Sequence, residues 1–234
     1  MIPISDDPVR RGVPVVTILL IVINVLVFLY EMGLGSRLDG FVQSFGAVPR
    51  EITTGRDLPP IAPLGNVYLT LITSMFLHGG WLHLAGNMLY LWVFGDNVED
   101  VFGSLGYLLF YLACGMAATI LQIAISPGSE LPSIGASGAI AGVLGAYLVM
   151  FPTARVRTVL ILGFLILVPR IPALFLIGAW FLLQLVSGLG QLGIAEETGG
   201  VAFWAHVGGF VAGLLLALFL RPRTPQMARG VRSW

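Results

Sequence analysis

Long stretches without a charged side chain alternate with short polar connections along this sequence. Residues 12–30, 58–95 and 171–195 contain no Asp, Glu, Lys or Arg. A helix needs about 20 mostly apolar residues to cross the hydrocarbon core of a bilayer, and the uncharged windows hold roughly six helices of this kind. The predicted spans are Val13–Met32, Trp81–Asn97, Ser104–Ser126, Ser137–Phe151, Ala173–Gly190 and Val201–Leu220. We therefore expect an all-α fold, a polytopic membrane bundle of six transmembrane helices.

Two connections between the predicted spans are themselves partly apolar. Val156–Val168 is apolar but short, and Pro169 and Pro172 end it, so we expect a hairpin or an excursion along the membrane surface. The long connection 33–80 is expected to lie outside and to dip into the membrane edge. We expect one domain over residues 1–234 with its core at about 13–220, between a short segment 1–12 and an arginine-rich tail 221–234. The first apolar run is expected to be an uncleaved span, since it is longer than a signal-peptide core.

The composition supports a membrane protein and excludes several other classes. Hydrophobic residues make up 57% of the chain and charged residues only 10%, with a mean hydropathy of +0.93. A net charge of zero argues against a nucleic-acid partner, which needs a clustered basic surface. Cys114 is the single cysteine, so the sequence offers no intramolecular disulfide and no thiolate cluster for a metal. We expect neither a metal nor a cofactor, and the lipid bilayer as the surroundings.

The arginines predict the orientation of the spans. All 12 basic residues are arginines, and most of them flank one set of span ends: Arg10, Arg11, Arg155, Arg157, Arg170, Arg221, Arg223, Arg229 and Arg232. Cytoplasmic connections of membrane proteins carry an excess of Lys and Arg. We therefore expect a multi-pass protein of the cell (inner or plasma) membrane with both termini in the cytoplasm.

Several strongly polar residues fall inside or at the edge of the predicted spans. All three histidines do so, His78 and His83 around span 2 and His206 in span 6. Polar and ionisable groups at membrane depth are costly and therefore indicate a functional site. His83 and Asn87 are four residues apart, so both side chains lie on one face of a helix. Ser137 lies between the small residues Gly135 and Gly138, where span 4 begins and backbone N–H groups are unpaired.

These residue types together predict nucleophilic catalysis. A serine is unreactive unless a base such as histidine removes its proton, and Ser137 and His206 are predicted to lie at similar depth. No Asp or Glu is predicted at that depth, which favours a Ser137–His206 dyad over a triad. His83 and Asn87 would donate hydrogen bonds to a developing oxyanion.

The sequence resembles the rhomboid family of intramembrane serine proteases. The resemblance rests on HGGWLHLAGN (His78 to Asn87), EDVFG (Glu99 to Gly103), GASG (Gly135 to Gly138) and AHVGGFVAG (Ala205 to Gly213). It implies a six-helix core with the nucleophile Ser137 on helix 4 and the base His206 on helix 6. It also implies an oxyanion site formed by His83, Asn87 and the Ser137 N–H, and cleavage of transmembrane segments of single-span membrane proteins.

Further residues receive supporting roles from the resemblance and from their positions. His78 is expected to position a loop, Glu99 to tether a cytoplasmic connection, and Gly209 and Gly213 to form a small-residue packing face. Trp180 and Phe181 are expected to gate the substrate entrance or simply to face lipid. Some members of the family stack a tyrosine on the base histidine, where this chain has Ala141; the sequence does not indicate what orients the His206 ring instead.

Three alternatives to a protease remain open at this stage. A proteolytically inactive, client-binding rhomboid-like protein would be expected to lack the serine or the histidine, and this chain has both. A six-span transporter would be expected to carry charged relays or an inverted repeat. Acyl transfer to a lipid instead of water would use the same dyad.

Overall fold

The computed structural model of this chain describes residues 1–8, 12–59, 65–191 and 201–220. The arginine-rich tail 221–234, together with Arg10 and Arg11, lies outside the described residues. The helices are α1 (Val15–Gly33), α2 (Leu38–Phe45), α3 (Pro49–Thr54), α4 (Thr70–Thr73), α5 (Trp81–Phe102), α6 (Ser104–Ile125), α7 (Ser137–Met150), α8 (Ala173–Gln191) and α9 (Phe203–Leu220). The helices α1, α5, α6, α7, α8 and α9 correspond to the six predicted spans.

The chain is a multi-pass membrane protein. Four of its helices, α1, α6, α8 and α9, are long and apolar enough to cross a membrane by length and composition. Of the other two, α5 continues past its predicted end at Asn97 to Phe102, and α7 has only 14 residues. The predicted helical membrane bundle is confirmed.

The short helix α7 lies at the centre of the bundle, where α5, α6 and α9 all contact it. Eleven of its residues are buried, so it is covered by protein on all sides. Fourteen residues of α-helix extend for about 21 Å, against a hydrocarbon core of about 30 Å. A helix that short begins below one membrane surface when its other end reaches the opposite surface. Ser137, the first residue of α7, therefore starts inside the bundle.

A small antiparallel sheet corrects the prediction of a purely helical chain. Its strands are β1 (Ile2–Asp6), β2 (Arg155–Leu162), β3 (Leu165–Leu167) and β4 (Arg170–Pro172). Each of the strands β1, β3 and β4 hydrogen-bonds to β2. The apolar segment 156–168 is therefore a β-hairpin, and the segment 1–12 contributes a strand. We call this end of the bundle the sheet end and the opposite end, where α7 begins, the Ser137 end.

Asp6 connects the sheet to the bundle. Its Oδ2 accepts hydrogen bonds from Tyr147 Oη on α7 at 2.5 Å and from Asn97 Nδ2 on α5 at 2.9 Å. Burial is the largest effect on this carboxyl and raises the pKa of Asp6 from 3.8 to about 7, although the hydrogen bond from Tyr147 lowers it. The strand β1 is therefore attached to the same helix that carries Ser137.

Candidate active site

The turn before α7 presents Ser137 at the helix N-terminus. Gly135 has a φ of +119°, a backbone conformation that residues other than glycine rarely adopt. Its N–H donates to Ser74 O at 2.8 Å, which anchors the turn to the long connection between α1 and α5. A Cβ at Gly135 would lie 2.8 Å from the ring of His83. Two independent constraints thus require glycine here, and the missing Cβ allows the His83 ring to lie close to the turn that carries Ser137.

His206 lies on the first turn of α9 and contacts Ser137 directly. The distance from His206 Nε2 to Ser137 Oγ is 2.8 Å, and the histidine is only 8% exposed. The two side chains are 69 residues apart in sequence. The structure therefore brings a hydroxyl and an imidazole into hydrogen-bond contact within an apolar bundle, the geometry that proton transfer from serine to histidine requires.

Gln184 on α8 binds the other nitrogen of the same ring, and sequence reasoning missed it. Gln184 Oε1 lies 2.8 Å from His206 Nδ1, and Gln184 is 7% exposed. Because a carbonyl oxygen only accepts, Nδ1 carries the proton and Nε2 presents its lone pair to the hydroxyl of Ser137. A usable signal was present, since Gln184 is the only amide side chain in the predicted span Ala173–Gly190.

His83 and Asn87 lie on α5 at the Ser137 end of the bundle, and each side chain makes one hydrogen bond to a neighbouring group. The Gly79 N–H donates to His83 Nδ1 at 3.3 Å, so a neutral His83 carries its proton on Nε2. That nitrogen is the one facing Gly135. Asn87 Nδ2 donates one hydrogen to His78 Nε2 at 3.0 Å, which leaves its second hydrogen for another acceptor.

His78 holds Asn87 and is itself held by a carboxylate. It is 4% exposed, and its backbone N–H donates to Glu31 Oε2 at 3.2 Å. Glu31, near the end of α1, is 2% exposed. The expectation that no carboxylate lies in this region overlooked Glu31. The structure nevertheless places that carboxylate against His78, whereas Gln184 and Ser137 are the groups that bind the His206 ring.

Glycines set the spacing between α7 and α9 directly beside Ser137 and His206. A Cβ at Gly209 would lie 1.9 Å from Gly138 O, and a Cβ at Gly213 would lie 2.0 Å from Gly142 O. The two helix backbones are therefore in contact, which no residue larger than glycine permits at these positions. Gly138 in turn faces α6, where its Cβ would lie 2.6 Å from Ala118 Cβ.

The two aromatic residues predicted as a gate pack inward against α9. The Trp180 ring lies 5.8 Å from the His206 ring, and the Phe181 ring stacks on Phe210 with centroids 4.3 Å apart. Both side chains are half-buried, so they are part of the contact between α8 and α9.

Comparison with known proteins shows the family of this chain. The family described as Rhomboid domain matches residues 65–223, more than half of the chain. The chain belongs to the rhomboid family. That match covers α5 to α9 and every residue of the site just described except Glu31.

Several named rhomboid proteins are similar to this chain. Rhomboid protease GluP of Bacillus subtilis (strain 168) is 33% identical over 210 residues, which are 89% of this chain and 36% of that protein. Rhomboid protein 1, mitochondrial, of Saccharomyces cerevisiae is 30% identical over 156 residues, 65% of this chain and 42% of that protein. RHOMBOID-like protein 5 of Arabidopsis thaliana is 30% identical over 191 residues, 77% of this chain and 56% of that protein. The chain thus spans from about a third to just over half the length of these relatives.

In this rhomboid chain Glu99 lies at the sheet end, far from the dyad in the fold, and caps α1. Its carboxylate accepts from Val16 N at 3.0 Å, from Thr17 N and Oγ1 at 2.8 Å, and from Ser104 Oγ at 2.7 Å. A carboxylate at a helix N-terminus satisfies unpaired N–H groups and interacts favourably with the helix dipole. Glu99 therefore fixes the connection of α5 with α1 and α6.

A small cavity adjoins Ser137 on the side of α6. It has a volume of about 20 Å³ and is lined mainly by small residues, among them Ser74, Gly115, Thr119 and Ala205. That volume accommodates one water-sized group. The structure therefore has space for one water-sized molecule directly beside the serine.

Proposed function

We propose that this rhomboid protein is an intramembrane serine endopeptidase with a Ser137–His206 dyad. The observation that carries the proposal is the 2.8 Å contact between His206 Nε2 and Ser137 Oγ, with the opposite ring nitrogen bound by Gln184. A dyad oriented in this way is what an activated serine requires. The relative named Rhomboid protease GluP supports the same reaction class.

The reaction begins when Ser137 Oγ attacks the scissile carbonyl and its proton passes to His206 Nε2. The carbonyl oxygen becomes an oxyanion, which accepts hydrogen bonds from His83 Nε2–H, the free Asn87 amide hydrogen and the Ser137 backbone N–H. The peptide C–N bond then breaks, and His206 gives the proton to the leaving amine. Water, deprotonated by the same imidazole, hydrolyses the acyl-enzyme and regenerates Ser137.

The substrates are the transmembrane segments of single-span membrane proteins. A peptide bond within a helix is protected because its carbonyl and N–H groups are engaged in helix hydrogen bonds. The substrate helix must therefore unwind near the Ser137 end of the bundle before it reaches the dyad. The arginine distribution supports an orientation with the sheet end and both termini in the cytoplasm and the Ser137 end toward the outside of the cell membrane.

The test compares the purified protein in detergent with Ser137→Ala on a single-span substrate. We expect the wild type to cleave the substrate and Ser137→Ala and His206→Ala to abolish cleavage. Ser44→Ala is the control, because Ser44 is a buried serine that lies on α2 outside the site. A fluorophosphonate probe, which reacts only with an activated serine, should label Ser137 in the wild type. Folded wild-type protein that neither cleaves nor takes the probe would indicate an inactive, client-binding rhomboid protein instead.

Product analysis separates hydrolysis from acyl transfer. Hydrolysis leaves a free carboxyl group on the N-terminal fragment, whereas transfer to a lipid leaves that fragment lipid-linked. Mass spectrometry of the fragment should show the free acid, and a lipid adduct as the main product would overturn the assignment as a protease.

A further inference from the structure

The orientation of the His206 ring depends on a residue from a helix other than those that carry the dyad. A neutral imidazole accepts a proton through one nitrogen only, and the hydrogen bond at the other nitrogen decides which one. Gln184 Oε1, 2.8 Å from Nδ1, makes Nε2 the accepting nitrogen. His206 is thus held between Ser137 on α7 and Gln184 on α8.

The helix that supplies Gln184 is joined to the bundle mainly through α9. Its inward contacts include the Phe181 stack on Phe210 and the close approach of Gly188, where a Cβ would lie 3.3 Å from the Trp204 ring. Only five residues of α8 are buried, compared with eleven of α7. Several of its other side chains, such as Phe175 at 67% exposure, point away from the bundle. A displacement of α8 therefore breaks fewer contacts than a displacement of α7 would, and the bond from His206 to Gln184 is among those it breaks.

We propose that Gln184 is a positioning residue that couples the orientation of the His206 ring to the seating of α8 on α9. This inference rests on the proposed function, because it describes how the base of that dyad is set. When α8 lies against α9, the tautomer with Nδ1–H is selected and Nε2 is ready to accept the proton of Ser137. When α8 moves aside, for example to admit a substrate helix, Nδ1 loses its acceptor and the ring is free to rotate. The dyad is then competent only after α8 has returned.

A purely structural role for Gln184 would satisfy a buried polar group without affecting the base. Gln122 on α6 provides the matched control for this alternative. It is also a buried glutamine beside α9, but its Oε1 accepts from the backbone N–H of Ala205 at 3.2 Å and not from the ring of His206. Both Gln184→Leu and Gln122→Leu remove one buried hydrogen bond to α9.

The first experiment measures the rate of fluorophosphonate labelling at Ser137 and the ¹⁵N chemical shifts of the His206 ring. The His206 signals are assigned by their loss in His206→Ala. We expect wild type and Gln122→Leu to show the Nδ1–H tautomer and similar labelling rates. Gln184→Leu should label about 10- to 100-fold more slowly, because a buried donor is left unpaired, and should show a mixture of tautomers. Gln184→Glu keeps an acceptor at the same reach and should recover most of the rate.

A wild-type spectrum dominated by the Nε2–H tautomer would overturn the positioning role. Equal labelling rates for Gln184→Leu and Gln122→Leu would overturn it as well. If Gln184→Leu does not fold, the wild-type and Gln184→Glu spectra still decide the tautomer. The spectrum requires no turnover, so a protein without protease activity would refute the proposed function while the tautomer remains testable.

The second experiment separates α8 from α9 without altering Gln184 or His206. Gly188→Leu places a bulky side chain against Trp204 and should tilt α8 away from α9. Gly178→Leu is the control on the same helix, because nothing lies within 4 Å of a Cβ at Gly178. We expect Gly188→Leu to reproduce the mixed tautomers and slow labelling of Gln184→Leu, and Gly178→Leu to resemble wild type. An unchanged His206 spectrum in Gly188→Leu would overturn the coupling to α8.

Discussion

A single methyl group at Gly209 should disable the dyad without touching either of its side chains. The Cβ of alanine would lie 1.9 Å from Gly138 O, and real Cβ atoms essentially never approach closer than 3.0 Å. The α7 and α9 backbones must therefore separate by at least about 1 Å. Gly138 is adjacent to Ser137, and Gly209 follows His206 by less than one helical turn. The separation therefore acts directly on the 2.8 Å contact between Nε2 and Oγ.

The expected loss of reactivity follows from this displacement. A misplacement of 1 Å in a catalytic arrangement costs about 100-fold in rate, and overpacking of this kind costs about 1–3 kcal/mol in the free energy of unfolding. Fluorophosphonate labelling and thermal unfolding of purified Gly209→Ala in detergent measure the two effects separately. Gly106→Ala on α6 is the matched control, because a Cβ there would meet only Phe102 Cβ at an ordinary 3.6 Å.

Gly213→Ala distinguishes the loss of dyad geometry from a general loss of stability. Its Cβ would clash equally, at 2.0 Å from Gly142 O, but one helical turn farther from the dyad. We expect Gly213→Ala to lower the unfolding temperature as much as Gly209→Ala and to retain more labelling. Wild-type labelling in Gly209→Ala would refute the reasoning, as would equal losses of labelling in both variants.

Three further predictions concern the gate, the oxyanion site and the sheet end. Phe181→Ala removes the stack on Phe210 and should raise turnover of helical substrates without raising labelling by a small probe, which needs no displacement of α8 to enter; unchanged turnover would leave Phe181 with a packing role only. The double variant His83→Ala, Asn87→Ala should lower kcat by at least about 100-fold with little change in substrate binding, since oxyanion donors act mainly in the transition state; wild-type kcat would reject their role. Because the pKa of Asp6 is raised from 3.8 to about 7 in the folded protein, its contribution to stability is fully present below pH 4 and is lost as the pH rises through 7. Unfolding temperatures of wild type should therefore fall from pH 5 to pH 8 more steeply than those of Asp6→Asn, and parallel curves would contradict the assignment.

The helices of this fold can be predicted from sequence alone because the bilayer core contains no water. In a bilayer every backbone group of a span must be bonded within its own helix, so a long uncharged stretch predicts a helix without knowledge of its neighbours. The predicted spans therefore match six observed helices. The predicted span Ser137–Phe151 matches α7 to within one residue. By contrast, α5 continues past its predicted end at Asn97 to Phe102, in the region where Glu99 bonds to α1.

The local pattern of apolar and polar residues could not predict which distant segments pair as strands. The strand β1 bonds to β2 across some 150 residues of sequence, and neither strand has a pattern that names its partner. From sequence, the segment 156–168 was compatible with a surface excursion or a hairpin. In the structure β2 pairs with both β1 and β3, so the segment forms a hairpin. Strand pairing depends on which edges meet in three dimensions, so the all-α prediction missed the sheet.

The sequence by itself determined the helical membrane bundle, the rhomboid resemblance and the candidate residues Ser137, His206, His83 and Asn87, because polar groups are conspicuous in apolar segments. It could not determine what orients His206. Ala141 removed the one partner that the resemblance suggested, and Gln184 lies on a helix whose rotation is set by packing against α9. The sequence marks Gln184 as the one amide of the predicted span Ala173–Gly190, but only the tertiary structure shows that this face of α8 meets the histidine, since the apolar residues around it do not indicate which helix lies opposite.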